Sequence, residues 1–329
     1  MKLFIKNIFI FLPILLVSYV LILYILSVTP LKKIVPNIKD NIGGHGQSLL
    51  RFREASQVKN IDILFIGSSH ASQGFDNRIF SSKNISTFNM GSGLQTPQNS
   101  YYLLKQYVPN IKPKSIIMEL YWDVLEYENG NEACIDITSN SECSLNLIKM
   151  NLSTYNFKII NSMVANYISR ATYPLNNFKS KNITNEKYIS GGYFELAHND
   201  EYVKKTIANL KPREIKLQEK QLLYLNKIIN YCKTENITLL FVTAPVSEES
   251  LRNITNYSSI INKINGIMSK NNTQWLNFND VFYRKKMNLK SVKDFNDGAH
   301  LSNKGVVKFN NLLIEELKKI SFTFRNENK

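Results

Sequence analysis

Between Ile8 and Val28 the chain reads IFIFLPILLVSYVLILYILSV, with no charged residue. At 1.5 Å per residue, roughly twenty apolar residues cross a hydrocarbon core ~30 Å thick. No other stretch of the chain is as long and apolar, so the expectation is one span with nearly all the rest on one side. A cleaved signal peptide usually has a shorter apolar stretch and a small-x-small cleavage site. Here Leu26-Ser27-Val28-Thr29-Pro30 is a poor site. Residues 1–30 therefore read as an uncleaved membrane anchor, with the lipid bilayer as a partner. Lys2 and Lys6 precede the span and Lys32 and Lys33 follow it, so the positive-inside count is nearly balanced and does not orient it.

The remaining chain is long enough to bury its own core without a disulfide or a structural zinc. With 43% hydrophobic and 11% aromatic residues, it is not a disordered chain. The net charge of +15 favours acidic surroundings such as anionic lipid or envelope polymers. The lysines are scattered and no helix-turn-helix, RNA-recognition or basic-zipper pattern occurs, so no nucleic-acid partner is expected. The three cysteines show no C-x-x-C spacing and no nearby His pair, which argues against a metal site. Cys134 and Cys143 lie in a polar stretch where they either close a small loop, as an oxidising compartment would allow, or stay as two thiols. Cys232 falls on an apolar helix face and reads as core.

Residues 31–59 are polar, with a Gly43-Gly44-His45-Gly46 cluster, and read as a stalk. Five short apolar runs then suggest strands: 61–66, 86–90, 115–120, 237–243 and 274–278. Between them lie helical patterns. One opens at Thr96-Pro97 and should stop before Pro109. Others cover 215–232, 258–268 and 303–320. Alternating strands and helices predict a three-layer α/β/α domain with a parallel sheet, formed by residues 60–125 and 212–329. Residues 126–211 break the rhythm and read as an insertion, or cap, on the catalytic side. His45 and His198 are expected at the surface, and Asp280 in a turn.

Two segments carry candidate chemistry. Gly67-Ser68-Ser69-His70 follows the first strand directly. In an open parallel sheet, ligands bind at the carboxyl ends of the strands, so a serine on that turn stands where chemistry happens. Asp297-Gly298-Ala299-His300 lies just before the last helix. An Asp and a His three apart can face one point, the Asp holding the imidazole tautomer while the other nitrogen takes a proton from a serine.

The order and placement of these blocks resemble the SGNH/GDSL hydrolase superfamily. The resemblance covers about Asp62 to Glu126 and Glu214 to Lys318. It implies a nucleophile at Ser69, a general base at His300 and an orienting Asp297, with no cofactor. Ser68 stands where the family usually has Asp. The family's glycine after strand two falls at Gly93, with Gly91 the second choice, implying an oxyanion hole built from the amides of Ser69 and Gly93. The third block departs: Glu119-Leu120-Tyr121-Trp122 replaces Gly-x-Asn-Asp, and no side-chain amide is present there. His70, Tyr121 and Trp122 are candidates for lining a substrate. Membrane-anchored relatives act on acyl esters of surface polymers, often beside an integral-membrane O-acyltransferase. The resemblance thus implies an extracytoplasmic serine esterase or O-acyltransferase acting on envelope glycan. The alternative is a non-catalytic scaffold that binds glycan or such an acyltransferase.

Overall fold

The computed structural model describes residues 1–181, 183–320 and 322, except for the side chains of Lys32, Lys33 and His45. The expected surface position of His45 therefore lies outside the described residues.

Five parallel strands form the central sheet: β1 (Ile63–Ile66), β2 (Thr87–Asn89), β3 (Ser115–Glu119), β6 (Thr238–Thr243) and β7 (Gln274–Asn277). Their order is β2-β1-β3-β6-β7. Every residue of β1 and β3 is buried, as strands covered on both faces must be. The pleat sends alternate residues to opposite sides. Ile63 and Phe65 join one core cluster with Phe75, Phe80 and Phe309. Leu64 and Ile66 join the other, with Leu103, Leu104 and Leu225. The chain is thus a three-layer α/β/α fold.

Two helices, α1 (Lys2–Val28) and α2 (Ser48–Ala55), precede β1. Between β1 and β2 lie α3 (Ser69–Gly74) and α4 (Asn77–Ser81), and α5 (Pro97–Ile111) links β2 to β3. The long connection from β3 to β6 holds α6 (Asn131–Asn140), α7 (Leu145–Leu152) and α8 (Phe157–Ser169). A hairpin of β4 (Glu186–Ile189) and β5 (Tyr193–Leu196), then α9 (Asp200–Ala208) and α10 (Glu219–Thr234), complete it. Helices α11 (Glu248–Arg252) and α12 (Tyr257–Lys270) precede β7; α13 (Val281–Met287) and α14 (Asn303–Lys319) follow it.

Three features differ from the sequence-based expectation, and a fourth decides an alternative that the sequence left open. The first is the stalk. Within 31–59, α2 buries Leu49, Phe52 and Ala55, and Arg51 is fully buried. The Arg51 guanidinium donates to the carbonyls of Gly192 (3.0 Å) and Gly46 (2.9 Å). A polar segment looks like a spacer in sequence, but its charge here is spent inside, tying the entry loop to the hairpin. The second is α5, which runs through Pro109 to Ile111. Proline leaves the carbonyl four residues back without its helical donor. That carbonyl, of Lys105, accepts Asn146 Nδ2 from α7 at 3.1 Å. The third is the start of α10, at Glu219 and not Ile215, because the Ile215 N–H donates to Asn256 Oδ1 at 3.0 Å. The fourth is the cysteine pair. Cys134 is a buried free thiol that accepts Asn99 Nδ2 at 3.2 Å, and Cys143 is exposed and also free. Cys232 is buried in the core.

Helices α6 to α8 are not a separate lobe. Ala133, Ile137, Leu147, Met150 and Ile159 share one cluster with Leu103 and Leu104 of α5. Helix α1 has a mean hydropathy of 2.8 over its most apolar window and is long and apolar enough to cross a membrane.

Candidate active site

The strand order reverses at β1: the chain leaves β1 for β2 on one side and later returns to β3 on the other. A crevice opens at such a point, outside the carboxyl ends of the strands. Gly67 follows β1 directly, with φ 145°. A Cβ there would stand 2.8 Å from Glu119 Cβ at the end of β3, so only glycine fits this turn. Ser68 then caps α3, its Oγ accepting the His70 N–H at 3.2 Å. Ser69 is the first residue of α3. From Ile61 to Ser72 it is the one residue that is not buried.

Asp297 and His300 sit on the loop before α14. Asp297 Oδ1 accepts the N–H groups of Ala299 (2.6 Å) and His300 (2.7 Å). Its Oδ2 lies 2.8 Å from His300 Nδ1. His300 Nε2 lies 2.8 Å from Ser69 Oγ. With the ring proton on Nδ1 facing the carboxylate, Nε2 is free to accept the Ser69 hydroxyl. Burial pushes the Asp297 carboxyl up, but the bond and charge of His300 and the two amides outweigh it and hold it below the usual carboxylate range. The loop is pinned from outside: the His300 carbonyl accepts Asn296 N at 2.8 Å, and Asn296 Oδ1 meets His198 Nδ1 at 3.2 Å.

The two glycine candidates separate clearly. The Gly91 N–H is taken by Asn89 Oδ1 at 2.9 Å, and a Cβ on Gly91 would stand 2.6 Å from Ala71 Cβ. Gly91 is a packing glycine, which removes it as an oxyanion donor. Gly93 lines a cavity of about 340 Å³ together with Ser69, Leu94, Glu132, Phe194 and Leu196. Ser69, as the first residue of α3, has an N–H with no intrahelical acceptor. A second cavity, of about 460 Å³, lies on the Asp297 side between Tyr121, Leu210, Arg213, Val246 and Ala299.

Of the lining candidates, Tyr121 reaches the second cavity. Trp122 borders the same cavity, but it is 1% exposed and packs edge-on against Tyr257, so most of its ring belongs to the core. His70 is 3% exposed, stacked on Tyr121 at 3.8 Å between centroids and 4.6 Å from the His300 ring. It packs against the base and lines neither of these two cavities. Burial, then the neighbouring His300, hold its imidazole well below the ordinary histidine value, so it stays neutral. Asp280 precedes α13 and accepts Asn277 Nδ2 at 2.9 Å.

Sequence reasoning missed Glu119. Its carboxyl is 1% exposed, with Oε2 accepting Ser68 Oγ at 2.8 Å and Ser68 N at 3.4 Å. Burial pushes it up to about 8, against the lowering effect of the two Ser68 bonds, so it is protonated at neutral pH. The available signal was an acid closing the otherwise apolar run Ser115-Ile116-Ile117-Met118.

No family model matches the chain, and no curated protein matches it. Solved structures similar to it include a GDSL-like lipase from Bacteroides thetaiotaomicron, at 10% identity over 84% of this chain and 98% of that one, with TM-score 0.41. A lipase/acylhydrolase from Enterococcus faecalis matches at 12% identity over 82% and 100%, with TM-score 0.40. An acetylxylan esterase from Geobacillus stearothermophilus matches at 11% identity over 83% and 100%, with TM-score 0.39. At this distance the activities of those proteins do not transfer to this chain.

Proposed function

We propose that this chain is a membrane-anchored serine esterase or O-acyltransferase that acts on acyl esters of an envelope polysaccharide, outside the cytoplasm. The observation that carries the reading is the unbroken chain of hydrogen bonds from Ser69 Oγ through His300 to Asp297, at the carboxyl edge of the sheet.

The chemistry follows from that order of groups. Ser69 Oγ attacks the ester carbonyl carbon while His300 Nε2 takes its proton. Asp297 holds the imidazolium and its tautomer. The tetrahedral oxyanion is received by the N–H groups of Ser69 and Gly93. Collapse breaks the bond to the leaving alcohol, which takes the proton back from His300 and leaves the acyl group on Ser69. A water molecule, or a sugar hydroxyl, then repeats the sequence in reverse. A protonated Glu119 suits this site, because a carboxylate behind Ser68 would oppose the oxyanion. Helix α1 holds the domain near its polymer, and the excess positive charge favours an anionic one.

Purified full-length chain should be labelled by a fluorophosphonate probe, and Ser69→Ala should abolish the label. Intact-mass measurement after exposure to an acyl ester should show the adduct, with Ser69 as its site. Release from that adduct accelerated by a glycan, over water alone, identifies transfer. Equal labelling of both proteins would eliminate the mechanism, and the absence of any label on wild type would favour the non-catalytic scaffold.

A further inference from the structure

Helix α1 has 27 residues, about 40 Å at 1.5 Å per residue. Its last third is held by the body. Tyr19 Oη donates to Asn161 Oδ1 of α8 at 2.7 Å, and Tyr24 Oη shares a hydrogen bond of 2.5 Å with Thr172 Oγ1 just beyond α8. Leu23 is buried with Ile38 and Ala165, and Val164 and Ile168 pack on the same cluster. Tyr19 meets the early part of α8 and Tyr24 its far end, so the two helices run the same way. Every residue of α1 up to Tyr19 is exposed, so that part stands clear of the body.

That projecting part is short. The uncharged stretch from Asn7 to Ser18 spans about 18 Å, whereas a hydrocarbon core is ~30 Å thick. Lys2 and Lys6 lie beyond it, and their ammonium groups seek the far interface. The helix crosses fully only if the body beside Tyr19 enters the near leaflet. On α1 itself, Leu21, Ile22 and Ile25 remain about half exposed along that level.

The corner of the body at this level is apolar and exposed. Helix α8 opens with Phe157, 81% exposed; the turn before it carries Tyr155, 87% exposed, and α7 ends on Leu152, 46% exposed. Lys149 and Lys158 flank them and are exposed, and the Lys220 ammonium stands 5.7 Å from the Tyr155 ring. Aromatic and aliphatic groups rimmed by lysine match the bilayer interface, where rings sit at headgroup level and ammonium groups meet lipid phosphates.

We propose that the α7–α8 corner, formed by Leu152, Tyr155 and Phe157, is a membrane-docking surface that sinks into the leaflet beside α1, with Lys149 and Lys158 on the phosphates. The inference rests on α1 being a membrane span. It makes the mid-chain segment a second point of attachment and fixes the tilt of the domain on the bilayer.

The test uses full-length chain carrying Cys143→Ser and Phe157→Cys, labelled with an environment-sensitive nitrobenzoxadiazole dye. Cys134 and Cys232 are buried and stay unlabelled. Lys304→Cys, exposed at the start of α14, serves as the comparison site. In vesicles of phosphatidylcholine and phosphatidylglycerol, the label at 157 should shift to the blue and lose emission to doxyl-labelled acyl chains. The label at 304 should do neither. Water-like, unquenched emission at 157 in chain that survives an alkaline carbonate wash would overturn the docking and leave the span standing. Blue-shifted emission that doxyl lipid does not quench would overturn it in favour of a protein partner or a second copy. Release of the chain by carbonate would remove the span and the inference with it.

Discussion

At the scale of single residues, the site pairs two carboxyl groups with opposite behaviour. Asp297 is held ionised by His300 and two amides, and Glu119 is held neutral by burial. Glu119 therefore makes a testable contribution to stability. Its carboxyl titrates near 8 in the fold, against an ordinary value of 4.5. Between these values the unfolded chain has lost a proton that the native chain keeps, so stability falls as pH rises through that window. The contribution is fully present below about 4.5 and gone above about 8. Glu119→Gln keeps the shape and removes the titration. Denaturant unfolding at pH 5 and pH 8 should show a smaller loss of stability for this variant than for wild type. Equal losses would place the carboxyl elsewhere in its titration. The Ser69-His300-Asp297 arrangement was legible in sequence because each residue lies beside a backbone landmark, a strand end or a helix start. Glu119 was not legible, because only packing decides whether an acid at a strand end meets solvent or a neighbouring turn.

Among the elements, the turn from β1 to α3 is the one on which the site depends. Its geometry needs a left-handed φ at Gly67 and room for Glu119 beside it. Gly67→Ala should destabilise the chain by about 1–3 kcal/mol, from backbone strain and the clash with Glu119. Thermal unfolding measures it, and an unchanged midpoint would show that the turn relaxes freely. The five strands were readable from their short β-branched runs. So was the start of α5, where Thr96 and Asn99 cap each other's backbone N–H at 3.5 and 3.0 Å. Its end was not readable, because Asn146 comes from 35 or more residues downstream of Pro109's turn to satisfy the stranded carbonyl. The same holds for α2: residues 31–59 read as a polar stalk, yet Arg51 is buried and donates to the carbonyls of Gly192 in the hairpin and Gly46 in the entry loop.

For the molecule as a whole, α6 to α8 share a core with α5 and α10, so these layers should melt together. Hydrogen exchange in rising denaturant should show the amides of α6, β1 and β3 losing protection in one transition. An earlier, separate transition for α6 would mark an independent lobe. The sequence by itself determined the five strands of the central sheet, the helices α5, α10, α12 and α14 between and after them, the apolar helix at the start and the two blocks that supply Ser69, Asp297 and His300. These are local signals: periodicity, caps, glycine at a tight turn. Tertiary structure alone decided that the segment before β1 is packed and not a spacer, that Cys134 and Cys143 stay apart, that Gly93 and not Gly91 faces the cavity, and that His70 and Trp122 are buried. Each of those depends on which distant surface covers a side chain, and burial is a property of the packed layers that neighbours in sequence do not encode.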